Sequence, residues 1–233
     1  MDKTTFKELV NKNIKVLNEE SFSLLEELLH YTLDANKKFN LTGIKDDNSF
    51  RNVMLYDSLI PLKYVDFAGK NVLDVGTGGG FPGLPLAISE NGHFDLLDST
   101  KKKIDHINNF INLYHLQNVR GINARAEEYA KENAEKYDIV ISRAVSSLNI
   151  LLEITIPFLK VGGILLTLKG DKAEEEIKDS KNALKKLDAE IIDTKIDYLD
   201  DDNEKRVLII IKKNKKTNDK YPRSYSDIKF KPL

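Results

Sequence analysis

The chain has 233 residues, 41% hydrophobic and 31% charged, with a formal net charge of −1 and no cysteine. That length buries a sizeable core in one large domain, or in a domain with an N-terminal extension, and the absence of cysteine excludes disulfides, thiolate nucleophiles, zinc–cysteine sites and iron–sulfur clusters. No apolar run reaches membrane-spanning length and Met1 to Val10 carries no signal-peptide core, so the expectation is a cytoplasmic protein with no membrane partner.

In chain order, Phe6, Leu9, Val10, Ile14 and Leu17 recur at helical spacing. A second helix is predicted to start near Ser21 or Ser23, whose hydroxyls cap free N–H groups, with Phe22, Leu25, Leu28, Leu29, Thr32, Asn36 and Phe39 on one face. Asn40-Leu41-Thr42-Gly43-Ile44 ends it, and a short helix over Phe50 to Ile60 stops before Pro61. Residues 1–66 thus read as an N-terminal helical module. From Asn71 the pattern changes to strands alternating with helices. Strands are predicted at Asn71 to Val75, His93 to Leu97, Val119 to Ile122, Tyr137 to Ser142 and, after a Gly162-Gly163 turn, Ile164 to Leu168. Helices are predicted at Lys101 to His115, Glu127 to Asn133, Ser147 to Phe158 and Ala173 to Leu187. Two closing strands, Ile191 to Tyr198 and Arg206 to Ile211, flank the acidic turn Asp200-Asp201-Asp202-Asn203 and suggest an antiparallel edge hairpin on a mainly parallel sheet. This α/β unit spans residues 67–213. The last stretch, 214–233, is a basic tail expected to pack with the rest as one unit. From Lys212 to Leu233 there are eight Lys/Arg and two acids, a local charge of +6 on a body near −7.

The chemistry is concentrated where the first strand ends. Asp74-Val75-Gly76-Thr77-Gly78-Gly79-Gly80 places glycines at a strand end, where the backbone turns sharply and approaches a ligand. Ligands of an open parallel sheet bind beyond the carboxyl ends of its strands, and a helix opening near Pro82 aims N–H groups at the same place. Asp98 follows Gly78 by twenty positions, just past the second strand, where a carboxylate accepts hydrogen bonds from ribose hydroxyls. Together these residues indicate an adenosine-type cofactor. Gly78-Gly79-Gly80-Phe81-Pro82-Gly83 matches the dinucleotide pattern literally, but its first glycine does not closely follow the strand. The better-placed run is Asp74-x-Gly76-x-Gly78-x-Gly80, with Phe81 where the dinucleotide register needs glycine, and that acid-led spacing suits the phosphate-free S-adenosylmethionine.

Further segments join this loop: Asn40-Leu41-Thr42-Gly43-Ile44, Asp57-Ser58-Leu59, Phe81-Pro82-Gly83-Leu84-Pro85, Leu97-Asp98-Ser99, Arg125-Ala126-Glu127-Glu128, Ser142-Arg143-Ala144-Val145, Leu168-Lys169-Gly170, Tyr221-Pro222-Arg223 and Pro232-Leu233. In that order, over nearly the whole length, the chain resembles the bacterial ribosomal RNA small-subunit methyltransferase G family, also called glucose-inhibited division protein B. The resemblance implies a Rossmann-like class I S-adenosylmethionine-dependent methyltransferase fold. It implies methylation of N7 of a guanine in 16S rRNA, on the small ribosomal subunit or an assembly intermediate, with S-adenosylhomocysteine as product. It also implies cofactor contacts at Gly76, Gly78, Phe81, Asp98, Ser99, Thr100, Ala126, Glu127 and Arg143. The chain departs from the family at Met54, where histidine is usual, at Lys102-Lys103, where Lys-Arg is usual, and in lacking a Gly-x-Pro element between Arg223 and Pro232.

Guanine N7 carries a lone pair at neutral pH, so no general base is expected and alignment is the main catalytic device; His30, His93, His106 and His115 show no metal-ligand spacing, so no metal is expected. The candidate RNA contacts are Lys101, Lys102, Lys103 and Arg143 beside the site, with Lys212, Lys213, Lys215, Lys216 and Arg223 on the tail. Two other readings stay open at this point: a nicotinamide-dependent oxidoreductase, and a non-catalytic RNA-binding assembly factor.

Overall fold

The computed structural model describes residues 1–38, 40–143, 146–199 and 204–233. Phe39, expected on a face of the second helix, Ala144-Val145 of the motif after the fourth strand, and the expected acidic turn 200–203 lie outside the described residues.

The N-terminal segment is helical for reasons local to its sequence. Asp2 accepts from Thr4 and Thr5 N–H and starts α1 (Lys3–Asn13). Asn18, rather than either serine, caps α2 (Glu19–Asn36) by accepting from Ser21 N–H. Asn36, at the end of α2, holds the following loop in place. Its Oδ1 accepts from Leu41 and Thr42 N–H, and its Nδ2 donates to the carbonyls of Thr42 and Ile44. The helix expected over Phe50 to Ile60 is longer and mixed. It runs from a single turn α3 (Asp47–Ser49) through a π-helix (Phe50–Tyr56) and α4 (Asp57–Leu59) into a 3-10 turn (Ile60–Lys63). Pro61 does not stop it, because proline fits the first positions of the 3-10 turn, where its missing N–H has no helical partner to lose.

The sheet has order β3-β2-β1-β4-β5-β7-β6. β1 (Asn71–Val75), β2 (His93–Asp98), β3 (Val119–Asn123), β4 (Tyr137–Arg143) and β5 (Leu159–Lys169) are parallel. β7 (Glu204–Lys213) inserts antiparallel between β5 and the edge strand β6 (Ala189–Leu199). The near-continuous burial of Val72 to Val75 is what a central parallel strand covered on both faces requires. Gly162-Gly163 is not a turn before β5 but part of it, beside the register shift that separates the Tyr137 and Ile139 pairings; with no side chains, the strand accepts that irregularity. The helices are α5 (Gly83–Ser89), α6 (Lys101–Leu113), α7 (Ala126–Asn133), α8 (Leu148–Thr155), α9 (Ala173–Asp179), α10 (Lys181–Lys186) and α11 (Tyr225–Phe230). The expected single helix over Ala173 to Leu187 is two, broken at buried Ser180, whose hydroxyl donates to Glu176 O.

Two apolar clusters sandwich the sheet. One joins Phe6, Phe22, Leu28, Phe50 and Leu59 of the N-terminal helices with Val72, Leu84, Ile107 and Ile141, so the helical segment is one cover of the sheet. The other packs Leu73, Val140 and Ile209 against Leu148, Leu152, Ala183 and Ile228 of the opposite helices.

Candidate cofactor and RNA site

The turn after β1 is built around a buried acid. Asp74 Oδ2 accepts from Thr77 Oγ1 at 2.7 Å and from Gly83 N–H at 2.9 Å. Its Oδ1 is buried without a hydrogen-bond partner among the described residues. Burial therefore pushes the Asp74 carboxyl up to about 6, against the two hydrogen bonds that favour its ionised form. Gly83 permits this closeness: a Cβ there would stand 2.1 Å from Leu96 Cδ2 and 2.8 Å from Asp74 Oδ2. Gly78 sits at φ +61°, with nothing within 4 Å of where a Cβ would point.

The loop is tied to the end of β2. Gly76 and Thr77 N–H donate to Leu97 O. Gly78 N–H donates to Asp98 Oδ2 at 3.0 Å and Thr100 N–H to Asp98 Oδ1 at 2.8 Å. Beyond the strand ends lies a cavity of about 330 Å³ whose walls include Gly76, Asp98, Ser99, Thr100, Ala126 and Glu127. Six of the sequence-predicted cofactor contacts thus meet in one place. Leu97, Lys103, Arg125, Ile154 and Tyr225 are also among its walls. The donor set fits a nucleoside with an attached amino acid. Asp98 offers carboxylate lone pairs of the kind that accept from hydroxyls, Leu97, Ala126 and Ile154 supply apolar surface, and the open side of Gly78 leaves room for a chain to pass.

Three expectations need correction. The Phe81 side chain is buried, edge-on to Phe50 at 5.5 Å, and lies under Arg143 rather than in the cavity. Arg143 is also outside it. Its guanidinium pairs with buried Asp57 at 3.0 Å, donates to Val53 O and lies 3.4 Å from Met54 Sδ, because the N-terminal helical segment supplies the opposing carboxylate. Arg206 Nε reaches the other Asp57 oxygen at 3.2 Å. Finally, two of the tail cations are structural. Lys213 is fully buried and donates to Leu159 O at 2.7 Å with Glu135 at 3.1 Å; Arg223 is committed to the fully buried Glu153. Lys215 pairs with Asp188 and Lys216 with Asp219, while Lys212 lies half-buried on β7. Since β7 is antiparallel to β5, it ends at the amino edge of the parallel strands, far from the glycine turn.

The lysines on the α6 side remain by the site. Lys101 pairs with Asp105, Lys103 borders the cavity, and Lys102 lines a hollow with Lys38 and Tyr31. A broad recess of about 940 Å³ opens between the end of α2 and the loop Asn40 to Gly43. Leu41 of that loop packs 3.8 Å from the Cβ position of Gly79, which joins this recess to the glycine turn. A different hollow of about 540 Å³ lies at the amino ends of β2 and β3, where Arg120 and Tyr137 are already bound to Asp95; that is the wrong end of the sheet for a ligand of this fold. Sequence reasoning missed Asp57, Arg206 and Tyr225 as site residues. Asp57 belongs to the segment Asp57-Ser58-Leu59, which carries part of the family resemblance; Arg206 and Tyr225 are distant along the chain and carry no spacing signal.

The sequence and the fold both have known relatives. The family described as rRNA small subunit methyltransferase G matches residues 21–207. A ribosomal RNA small subunit methyltransferase G from Fusobacterium nucleatum subsp. nucleatum is 43% identical over 235 aligned residues, covering 99% of this chain and all of that one. One of the same name from Mesoplasma florum is 38% identical, covering 91% and 90%. Among solved structures, M. jannaschii TYW2 in complex with AdoMet aligns at TM-score 0.57 and 19% identity over 73% of this chain and 79% of its own. A SAM-dependent methyltransferase from Aquifex aeolicus aligns at 0.54 and 18% over 78% and 98%. These two likenesses establish the Rossmann-like fold.

Proposed function

Since the chain belongs to the rRNA small subunit methyltransferase G family, we propose that it methylates N7 of a guanine in 16S rRNA, presented in the small subunit or an assembly intermediate. The reaction class is S-adenosylmethionine-dependent rRNA methylation, and neither the oxidoreductase nor the non-catalytic reading finds support. The observation that carries the proposal is the cavity at the carboxyl ends of the parallel strands, where Asp98 meets the glycine turn and Ala126-Glu127.

When bound, S-adenosylmethionine supplies a methyl carbon that a ring nitrogen takes without prior proton removal. The protein's part is to hold and align. Asp98, braced by Gly78 and Thr100 N–H, keeps acceptor lone pairs for the ribose hydroxyls. Gly76 to Gly78 let the methionine portion run close to backbone. Ala126 and Glu127 border the base. The recess beside Asn40 to Gly43 is the approach for the guanine, because it adjoins the glycine turn from the side the N-terminal helices leave open. Orientation of this kind supplies on the order of 7–11 kcal/mol. Among the described residues no helix is long and apolar enough to cross a membrane, and a ribosomal substrate fits an enzyme of the cytoplasm.

The test is twofold. Calorimetry should show S-adenosylhomocysteine binding, and mass mapping of 16S rRNA from cells with and without the gene should show one 7-methylguanine that depends on it. Methylation elsewhere on the base, or no difference, would falsify the N7 assignment.

A further inference from the structure

The C-terminal segment does not trail into solvent as a basic arm. After β7 it returns along α8 to the cofactor cavity. The Arg223 backbone N–H and Nε both donate to Glu153 Oε1, at 3.1 and 2.7 Å, and Nη2 donates to Glu153 Oε2 at 2.6 Å. Glu153 has no exposed surface, so this carboxylate depends on the segment for its counter-charge. Arg223 Nη2 also donates to Lys231 O at 3.0 Å, which closes the segment on itself. Ser224 caps α11 by accepting from Asp227 N–H, and Ile228 is wholly buried in the cluster with Leu148 and Leu152. The pairing of neighbours is informative. On α8, Glu153 binds Arg223 while the next residue, Ile154, borders the cavity; on the tail, Tyr225 borders the same cavity two residues beyond Arg223. The lock and the wall are therefore one unit.

We propose that residues 221–230 form a strap that completes the cofactor cavity, with the Tyr225 ring as its aromatic wall against the adenine base. This rests on the methyltransferase reading above. Asp98 marks the ribose end of the cavity and Ala126-Glu127 the edge of the base, and to the aliphatic lining from Leu97 and Ile154 Tyr225 adds the one aromatic face, which suits a flat, uncharged purine. Tyr225 is 40% exposed and takes no part in the buried packing of α11, which falls to Ile228. Its ring is thus available to a ligand, and its removal leaves the strap docked. An aromatic face against a purine is a sequence-tolerant, desolvating contact of the kind that holds nucleobases elsewhere.

The experiment measures S-adenosylhomocysteine binding to wild type, Tyr225→Ala and Tyr225→Phe by calorimetry, with melting temperatures and amide exchange of residues 221–230. Expected is a dissociation constant raised about tenfold or more in Tyr225→Ala, equivalent to about 1.4 kcal/mol. Its melting temperature should be unchanged without ligand, Tyr225→Phe should bind within about twofold of wild type, and ligand should slow exchange across 221–230 in the wild type. Equal affinity of Tyr225→Ala and wild type overturns the strap's role in binding, even if rRNA turnover falls, since Tyr225 would then be an RNA contact. A wild type that binds no S-adenosylhomocysteine overturns the cofactor reading and the strap with it.

Discussion

Asp98 and Asp74 stand at the ends of adjacent strands yet behave in opposite ways. Asp98 is open to the cavity and braces the loop through two backbone N–H groups. Asp98→Ala removes charged hydrogen bonds worth about 1.5–3 kcal/mol each, so S-adenosylhomocysteine affinity should fall at least about tenfold; unchanged affinity by calorimetry would remove Asp98 from the ribose role. Asp74 is sealed, and its carboxyl titrates near 6 rather than 3.8 because burial disfavours the charge. A raised folded-state value means the neutral acid favours folding below about 3.8, and that contribution is lost as pH rises through about 6. Asp74→Asn keeps an acceptor for Thr77 and Gly83 but cannot ionise. The stability of wild type minus that of Asp74→Asn should therefore fall between about pH 4 and pH 7, by an amount on the order of 3 kcal/mol. Urea denaturation at several pH values reads it, and a flat difference would mean that the buried acid is not perturbed. Gly76 and Asp98 were legible because strand, tight turn and acid are local signals; Ser99, Thr100, Ala126 and Glu127 came from the family resemblance, and Tyr225 from neither. Phe81 was misread because a glycine-loop position does not reveal whether its side chain faces ligand or core.

At the level of elements, the mixed helix 47–63 matters most to the site. Its π-helical turns carry Val53 and Met54 to Arg143, and the following turn brings Asp57 between Arg143 and Arg206. One carboxylate thus joins the N-terminal helices to β4 and β7. Asp57→Ala should destabilise by about 3–5 kcal/mol, because two half-buried guanidinium groups lose their common partner. Arg143→Ala should cost less, since Asp57 retains Arg206, and should still depress methyl transfer strongly. Chemical denaturation and turnover on small subunits separate the two effects; equal stability losses would mean that Arg206 does not share the charge. None of this element was readable in its observed form. Apolar spacing marks a helix but not its hydrogen-bond register, and the π-helical stretch buries Phe50 and Leu55 in the core as an α-helix of the same pattern would be expected to do. Of the parallel strands, β1 and β4 were readable from near-continuous burial, and the others from short β-branched or apolar runs alternating with helical patterns. The break at Ser180 was not, because a charged amphipathic pattern runs straight through it.

For the whole molecule, the question is where the positive charge acts. The tail's net +6 suggests an RNA arm, but composition cannot say which lysines are buried, and Lys213 and Arg223 serve the fold. Lys103 instead borders the cavity, Lys38 and Lys102 line the hollow by Tyr31, and Lys45 lines the recess beside Asn40 to Gly43. Replacing these four with Gln should flatten the salt dependence of small-subunit binding by roughly one slope unit for each phosphate no longer neutralised. The change Lys212, Lys215 and Lys216 to Gln should leave that slope nearly intact, and Lys213→Gln alone should lower stability, as salt titrations and melting curves will show. A larger flattening from the tail set would return the RNA surface to the tail. The strap carries one more consequence, concerning the order of synthesis. Every other wall residue of the cavity, from Val75 to Ile154, is translated before Tyr225. A nascent chain therefore makes the side of the pocket that carries Gly76, Asp98, Ala126 and Ile154 before it makes the strap, so the sheet has its full set of strands in hand while the pocket is still one side short.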